Sequence, residues 1–276
     1  MNFNSEVNNL NLNNCVGYLT FKSLENISII NHAFSTRLGG VSSNEFSTMN
    51  LSFNRGDSDN NVIENYHKFC DSAGFDFNTL VASSQQHGDN IRIVDEQDKG
   101  VGIWREQDKT NIDALITNKQ DITLVTYFAD CTPIFFVDPI RKVIALAHSG
   151  WRGTILRIGA KVIDKMKRDF NCKIENIVCA IGPCIGKCCY EVDKNLYQHF
   201  SKVKDWNVDE IFEPLSNGKY NLDLCEANLQ LLLSAGLRRE NVSVSDVCTM
   251  CNSELLFSHR ATAGKRGGMV AMMCLR

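Results

Sequence analysis

Proline is scarce in this chain, four residues in 276, and those four are scattered. No Gly/Ser-rich or Pro-rich linker breaks the sequence, so the expectation is a single domain over residues 1–276. Long apolar runs are also missing: none approaches the roughly 20 residues that a membrane-spanning helix needs. The asparagine-rich opening "MNFNSEVNNLNLNN" lacks the basic start and apolar core of a secretion signal. About residues 1–15 are expected to be flexible. Charge of one sign is not in excess, with 29 Lys and Arg against 32 Asp and Glu, a formal net charge of -3. That balance argues against a surface devoted to nucleic acid or to an anionic membrane, and leaves basic residues to act singly, in pockets. Histidine is sparse too: six residues without a His-x-His pair are too few for coupled multicopper chemistry.

Cysteine, by contrast, is plentiful, at 12 residues. A disulfide scaffold suits small secreted domains, and without a secretion signal reduced thiols are expected, some buried and one or two bound to metal. The expected address is the cytoplasm.

Apolar periodicity sketches an α+β fold. Residues 59–73 place Val62, Ile63, Tyr66, Phe69 and Cys70 on one helical stripe that ends at Gly74. Residues 122–128 read as a buried strand, and 134–137 with 143–148 as a hairpin around "DPIRK". A helix is predicted over 154–170, further strands over 176–181, 242–247 and 269–274, and helices over 191–202 and 222–235. Helices and strands do not alternate strictly, which favours mixed sheets packed together with helices outside.

Three stretches carry chemistry. In "ALAHSGWRGT" (145–154) a strand ends on His148, a glycine-bracketed turn presents Arg152, and a helix starts near Thr154. A helix start with a forked cation beside it makes an anion site, phosphate being the obvious ligand; the plainer alternative is an ordinary helix start with Arg152 solvated. In "YFADCTPIFF" (127–136) Cys131 ends an apolar run beside Asp130, a carboxylate placed to support a metal ligand; the bland alternative is a buried thiol. In "SQQHGDN" (84–90) His87 lies in a polar loop. Two imidazoles and one thiolate, His87, Cys131 and His148, have the composition of a catalytic zinc site with one position open, provided the fold brings them together. Cys248 and Cys251 form a CxxC, and "PCIGKCCY" adds Cys184, Cys188 and Cys189. With no second CxxC, and with Cys188 and Cys189 adjacent, a structural zinc there is not expected.

The motifs "FSTRLGGVS" (34–42), "QHG" (86–88), "DALIT" (113–117), "ADCTPI" (129–134), "HSGWRGT" (148–154), "GPCIGKCCYEV" (182–192) and "FSHR" (257–260) occur together and in order. In these the chain resembles the laccase-domain, YfiH/YlmD-like purine nucleoside phosphorylase family, formerly called multicopper polyphenol oxidases. The resemblance runs from about residue 30 to the end. It implies a single-domain α/β sandwich and carries the metal site and catalytic role onto His87, Cys131 and His148. It implies phosphorolysis of adenosine, inosine and methylthioadenosine to free base and ribose 1-phosphate, with adenosine deamination as a side activity. Zinc is the expected metal, copper the alternative. Arg37, Arg152 and Arg260 are the candidate substrate contacts by motif position, while the altered ending "GKRGGMV" leaves Arg266 without a defined role. The expected partners are purine nucleosides and phosphate, with no nucleic acid or membrane, in a monomer or small homo-oligomer. Competing readings are a cysteine hydrolase using Cys131 with His148 or His87, a copper polyphenol oxidase, and a non-enzymatic metal-storage module.

Overall fold

A computed structural model describes residues 5–276. Two six-stranded mixed sheets stack face to face and helices cover their outer faces; neither sheet closes into a barrel. In spatial order the first sheet contains Asn8–Asn13, Val16–Phe21, Ile30–Ser35, Met269–Leu275, Thr123–Phe128 and Leu80–Ala82. The second contains Val242–Val244, Val178–Ile181, Thr132–Asp138, Val143–Ser149, Ala114–Thr117 and Ile91–Ile93. The first has antiparallel neighbours and one parallel edge pairing, and the second has antiparallel neighbours between two parallel edge pairings. A small third sheet is formed by Glu191–Val192, Tyr220–Leu222 and Phe212–Pro214.

Side-chain alternation sorts the layers. From the strand Thr132–Asp138, Phe135 and Val137 point between the sheets and meet Leu19, Phe34, Leu124 and Met273 of the first sheet. Ile134 and Phe136 point outward, under Ile158, Val162, Ile163 and Met166 of the helix Ile158–Phe170. On the opposite outer face Val62, Tyr66 and Phe69 of the helix Asp59–Ala73 cover Val125, Val270 and Met272. This helix ends at Gly74, whose φ of 73° closes it in the left-handed conformation.

The expected hairpin is present, with Thr132↔Ser149 through Asp138↔Val143 in register. The expected helix over 154–170 is instead two: Trp151–Ile155 begins earlier, and Ile158–Phe170 follows a break at Arg157, which has a φ of 66°. The strand expected over 242–247 stops at Val244, and residues 191–192 pair as strand before the helix Lys194–Phe200. Of the N-terminal segment expected to be flexible, residues 1–4 lie outside the described residues, whereas Asn8–Asn13 pairs along its length with Val16–Phe21. Among the described residues no helix is long and apolar enough to cross a membrane.

Candidate metal centre and its cavity

The chain passes twice from the first sheet to the second at one place, and both crossings carry a predicted ligand. Residues 83–90 link Leu80–Ala82 to Ile91–Ile93 and contain His87; residues 129–131 link Thr123–Phe128 to Thr132–Asp138 and contain Cys131. His148 stands next to the last residue of Val143–Ser149. The fold therefore brings the three together: their ligand atoms lie within 4.8 Å of one another. His148 is buried, Cys131 half-buried and His87 exposed. His87, with φ 61°, and Asp130, with φ 83°, both hold the sparsely populated left-handed conformation beside this centre.

Asp113 organises the group. The pairing Ala114↔Ala147 sets Asp113 beside His148, whose backbone N–H donates to the Asp113 carbonyl at 2.8 Å. Asp113 Oδ1 lies 2.8 Å from Nδ1 of His148, leaving Nε2 as the imidazole's other donor. The same carboxylate accepts backbone N–H bonds from Gln86 (3.1 Å), His87 (3.0 Å) and Gly88 (2.8 Å), fixing the loop that carries His87. Burial alone would raise the Asp113 carboxyl, but the hydrogen bond and charge of His148, with the N–H donors, hold it below the usual carboxylate range. Burial also opposes ionisation of Cys131, yet the charge and hydrogen bonds of His148 and His87 bring its thiol down to about 6. A thiolate and an imidazole with its second nitrogen anchored to a carboxylate are the donor set of a zinc or copper site. Gly150 leaves room for it: a Cβ there would fall 3.0 Å from Cys131 Sγ and 3.0 Å from His87 Cδ2.

The three side chains form part of the wall of a cavity of about 1050 Å³. Other parts of the wall are aromatic, with Phe53, Phe77, Trp104 and Tyr127, and three arginines, Arg55, Arg105 and Arg266, also line it. Arg266 is buried; its Nη1 donates to the Gly267 carbonyl at 2.8 Å, while Nε has no hydrogen-bond partner among the described residues. Burial and the neighbouring Arg55 charge lower Arg266 to about 10.

The three arginines singled out by motif lie elsewhere than on this wall. Arg37 stacks on Phe257 and donates to the carbonyls of Ser47 (2.7 Å) and Ser253 (2.8 Å). Arg152 is exposed and lies over Trp151. Arg260 lies over Tyr190 and donates to the Glu191 carbonyl at 2.9 Å. At "SGWRG" no side chain caps the helix start, and the side chains of Thr154, Ser149 and Asn228 bond one another in the interior. Asp130 also faces away from a supporting role on the metal ligands: its carboxylate accepts from Thr249 Oγ1 at 2.6 Å and from the Arg260 N–H at 2.7 Å. Asp113, inside the "DALIT" motif, takes the supporting position instead. Its sequence signals are its place at the head of "DALIT" and the apolar run that follows it.

Residues 31–276 match the family described as multi-copper polyphenol oxidoreductase laccase. Purine nucleoside phosphorylase YlmD of Geobacillus stearothermophilus is 34% identical over 243 residues, covering 87% of this chain and 88% of that one. Adenosine deaminase RL5, from an unknown prokaryotic organism, is 32% identical over 241 residues, covering 87% of this chain and 90% of its own. The crystal structure of the Bacillus licheniformis hypothetical protein YfiH has the same fold, with a TM-score of 0.89 and 33% identity over 94% of this chain and 96% of that one. Sequence and fold agree that the chain belongs to the YfiH/YlmD laccase-domain purine nucleoside phosphorylase family.

Proposed function

We propose that this protein is a zinc-dependent purine nucleoside phosphorylase that acts on adenosine, inosine and methylthioadenosine, with adenosine deamination as a side activity. One observation carries the reading: a three-donor metal centre and a buried arginine with an unpartnered Nε open into the same cavity. In phosphorolysis the bond from the anomeric carbon to the purine nitrogen breaks, a bond from that carbon to a phosphate oxygen forms, and the base leaves with its bonding pair and takes up a proton. Arg266, with Arg55, holds the phosphate: forked N–H donors in a buried setting bind a multiply charged oxyanion strongly. Trp104 and Phe77, whose ring centroids stand 5.0 Å apart, offer flat faces for the base. His87, Cys131 and His148 hold the metal, and Asp113 keeps His148 in the tautomer that leaves Nε2 free. When bound, the metal supplies a Lewis acid beside the substrate. Deamination replaces the amino group at C6 of the base with the oxygen of water and releases ammonia; the likeness to a named adenosine deaminase supports that side activity.

The reading is tested by incubating the protein with adenosine or inosine, with and without phosphate, and separating the products. Base and ribose 1-phosphate appearing in equal amounts, only with phosphate, is the expected result. Base with free ribose regardless of phosphate overturns it. Activity that survives chelation and is lost on thiol alkylation assigns Cys131 as a nucleophile instead.

A further inference from the structure

Four cysteines that line no part of the cavity converge elsewhere. Cys188 and Cys189 follow the strand Val178–Ile181, Cys248 and Cys251 follow Val242–Val244, and the four sulfurs lie within 4.8 Å of one another. The two segments run side by side through the parallel bridge Cys184↔Cys248, with the Thr249 N–H donating to the Cys184 carbonyl at 2.9 Å. Adjacency of Cys188 and Cys189, which counted against a shared site in the sequence, is accommodated by a turn. The N–H groups of Cys189 and Tyr190 both bond the Gly186 carbonyl, at 2.9 and 3.1 Å. Both sulfurs thereby reach Cys251, Cys189 Sγ at 3.4 Å and Cys188 Sγ at 3.5 Å. These separations are far beyond a disulfide bond of about 2.05 Å. They are near the edge of a sulfur tetrahedron around zinc, roughly 3.8 Å for metal–sulfur bonds of about 2.3 Å.

The surroundings are also built for thiolates. Backbone N–H groups of Gly186 and Cys251 point at Cys248 Sγ, at 3.2 and 3.5 Å, the kind of donation that orients a sulfur ligand and offsets its charge. Gly186 leaves the sulfurs space: a Cβ there would crowd them, at 3.1 Å from Cys248 Cβ and 3.2 Å from Cys188 Sγ.

We propose that Cys188, Cys189, Cys248 and Cys251 form a second metal site, an all-sulfur tetrahedral site for a soft-ligand divalent cation, zinc foremost. Binding releases the remaining thiol protons to solvent and moves no electrons. All four positions are filled by the chain, so the site is structural, with none open to substrate. It ties the 182–190 turn to the 248–252 turn. The latter also anchors Asp130, beside Cys131, through Thr249 Oγ1, so the clasp stiffens one side of the cavity wall. The proposal stands apart from the phosphorolysis reading, because a structural zinc is present or absent whatever the enzyme turns over.

The test uses the full chain purified under reducing conditions, with Cys131→Ser to disable the first centre, elemental analysis for zinc, and X-ray absorption for its ligands. The expected result is about one zinc per chain with four sulfurs at about 2.3 Å, falling at least tenfold when Cys251→Ser is added. If either variant fails to accumulate, the wild-type protein decides: about two zinc ions sharing five sulfurs and two nitrogens support the site. One ion bound by one sulfur and two nitrogens overturns it. So does a Cys131→Ser protein that retains no zinc, a nitrogen- or oxygen-rich shell, or a thiol titration showing these cysteines already oxidised.

Discussion

Oδ1 of Asp113 stands 2.8 Å from Nδ1 of His148, and the same carboxylate holds the backbone of the loop that carries His87. One acidic side chain thus aims two imidazoles that lie 61 residues apart in the chain (148 − 87). Asp113→Asn removes the charge that fixes the His148 tautomer while retaining a hydrogen-bonding side chain. Zinc affinity should fall about 10- to 100-fold, as measured by competition with a chelating dye. Asp113→Ala additionally orphans three backbone N–H groups and should lower stability by about 3 kcal/mol. An Asp113→Asn protein that binds zinc like wild type would remove this carboxylate from the metal centre.

Gly150 supplies a separate handle. Its φ of -72° suits alanine, so Gly150→Ala should fold, but the new Cβ crowds Cys131 Sγ and the His87 ring. Zinc binding at the first centre should weaken at least tenfold, with thermal unfolding shifted by only a few degrees. A large loss of stability with zinc affinity intact would contradict the crowding argument.

Arg266 and Arg152 separate two accounts of phosphate binding. Arg266→Ala should raise KM for phosphate at least tenfold, about 1.4 kcal/mol or more, with a smaller effect on KM for the nucleoside. Arg152→Ala, exposed and outside the cavity wall, should change KM for phosphate less than twofold. The opposite ranking would move the anion site to the "SGWRG" turn.

The pattern of residues revealed what depends on local periodicity and hid what depends on register and turns. The hairpin of Thr132–Asp138 and Val143–Ser149 was readable because apolar runs flank a Pro-containing turn. The break at Arg157 was not, since Ile155, Ile158 and Val162 keep helical spacing straight across it. The asparagines of Asn8–Asn13 disguise a strand: Asn8 Nδ2 bonds the side chains of Ser245 and Asp246, distant in sequence, and Asn11 Nδ2 bonds Thr20 on the neighbouring strand. The metal trio was found by ligand chemistry and family motifs. Asp113 was missed because its role follows from the Ala114↔Ala147 register. Arg266 was undervalued because nothing in "GKRGG" announces that its guanidinium is buried in a cavity wall.

His32 gives a pH signature remote from the cavity. Its Nε2 accepts the Phe21 N–H at 2.8 Å, and its ring packs against Phe21 and Phe135. Burial, partly offset by Glu25, lowers its pKa from 6.5 to about 4. The native state therefore keeps it neutral, whereas the unfolded chain takes up a proton below pH 6.5. Its contribution is full above that pH and declines as pH falls toward 4, by about 3 kcal/mol in total. Denaturant unfolding of wild type and His32→Gln between pH 7 and 4 should show a shallower decline in the variant. Parallel curves would contradict this assignment.

Under the proposed function, catalysis depends on one metal centre formed by His87, Cys131 and His148. The direct measurement strips the protein of metal, restores zinc stepwise, and follows phosphate-dependent release of base from adenosine against occupancy of that centre, with His148→Ala in parallel. Activity should be absent in the stripped protein, rise in proportion to occupancy, and stay absent in the variant at every zinc concentration. Undiminished turnover by the stripped protein, or by His148→Ala, would contradict the account.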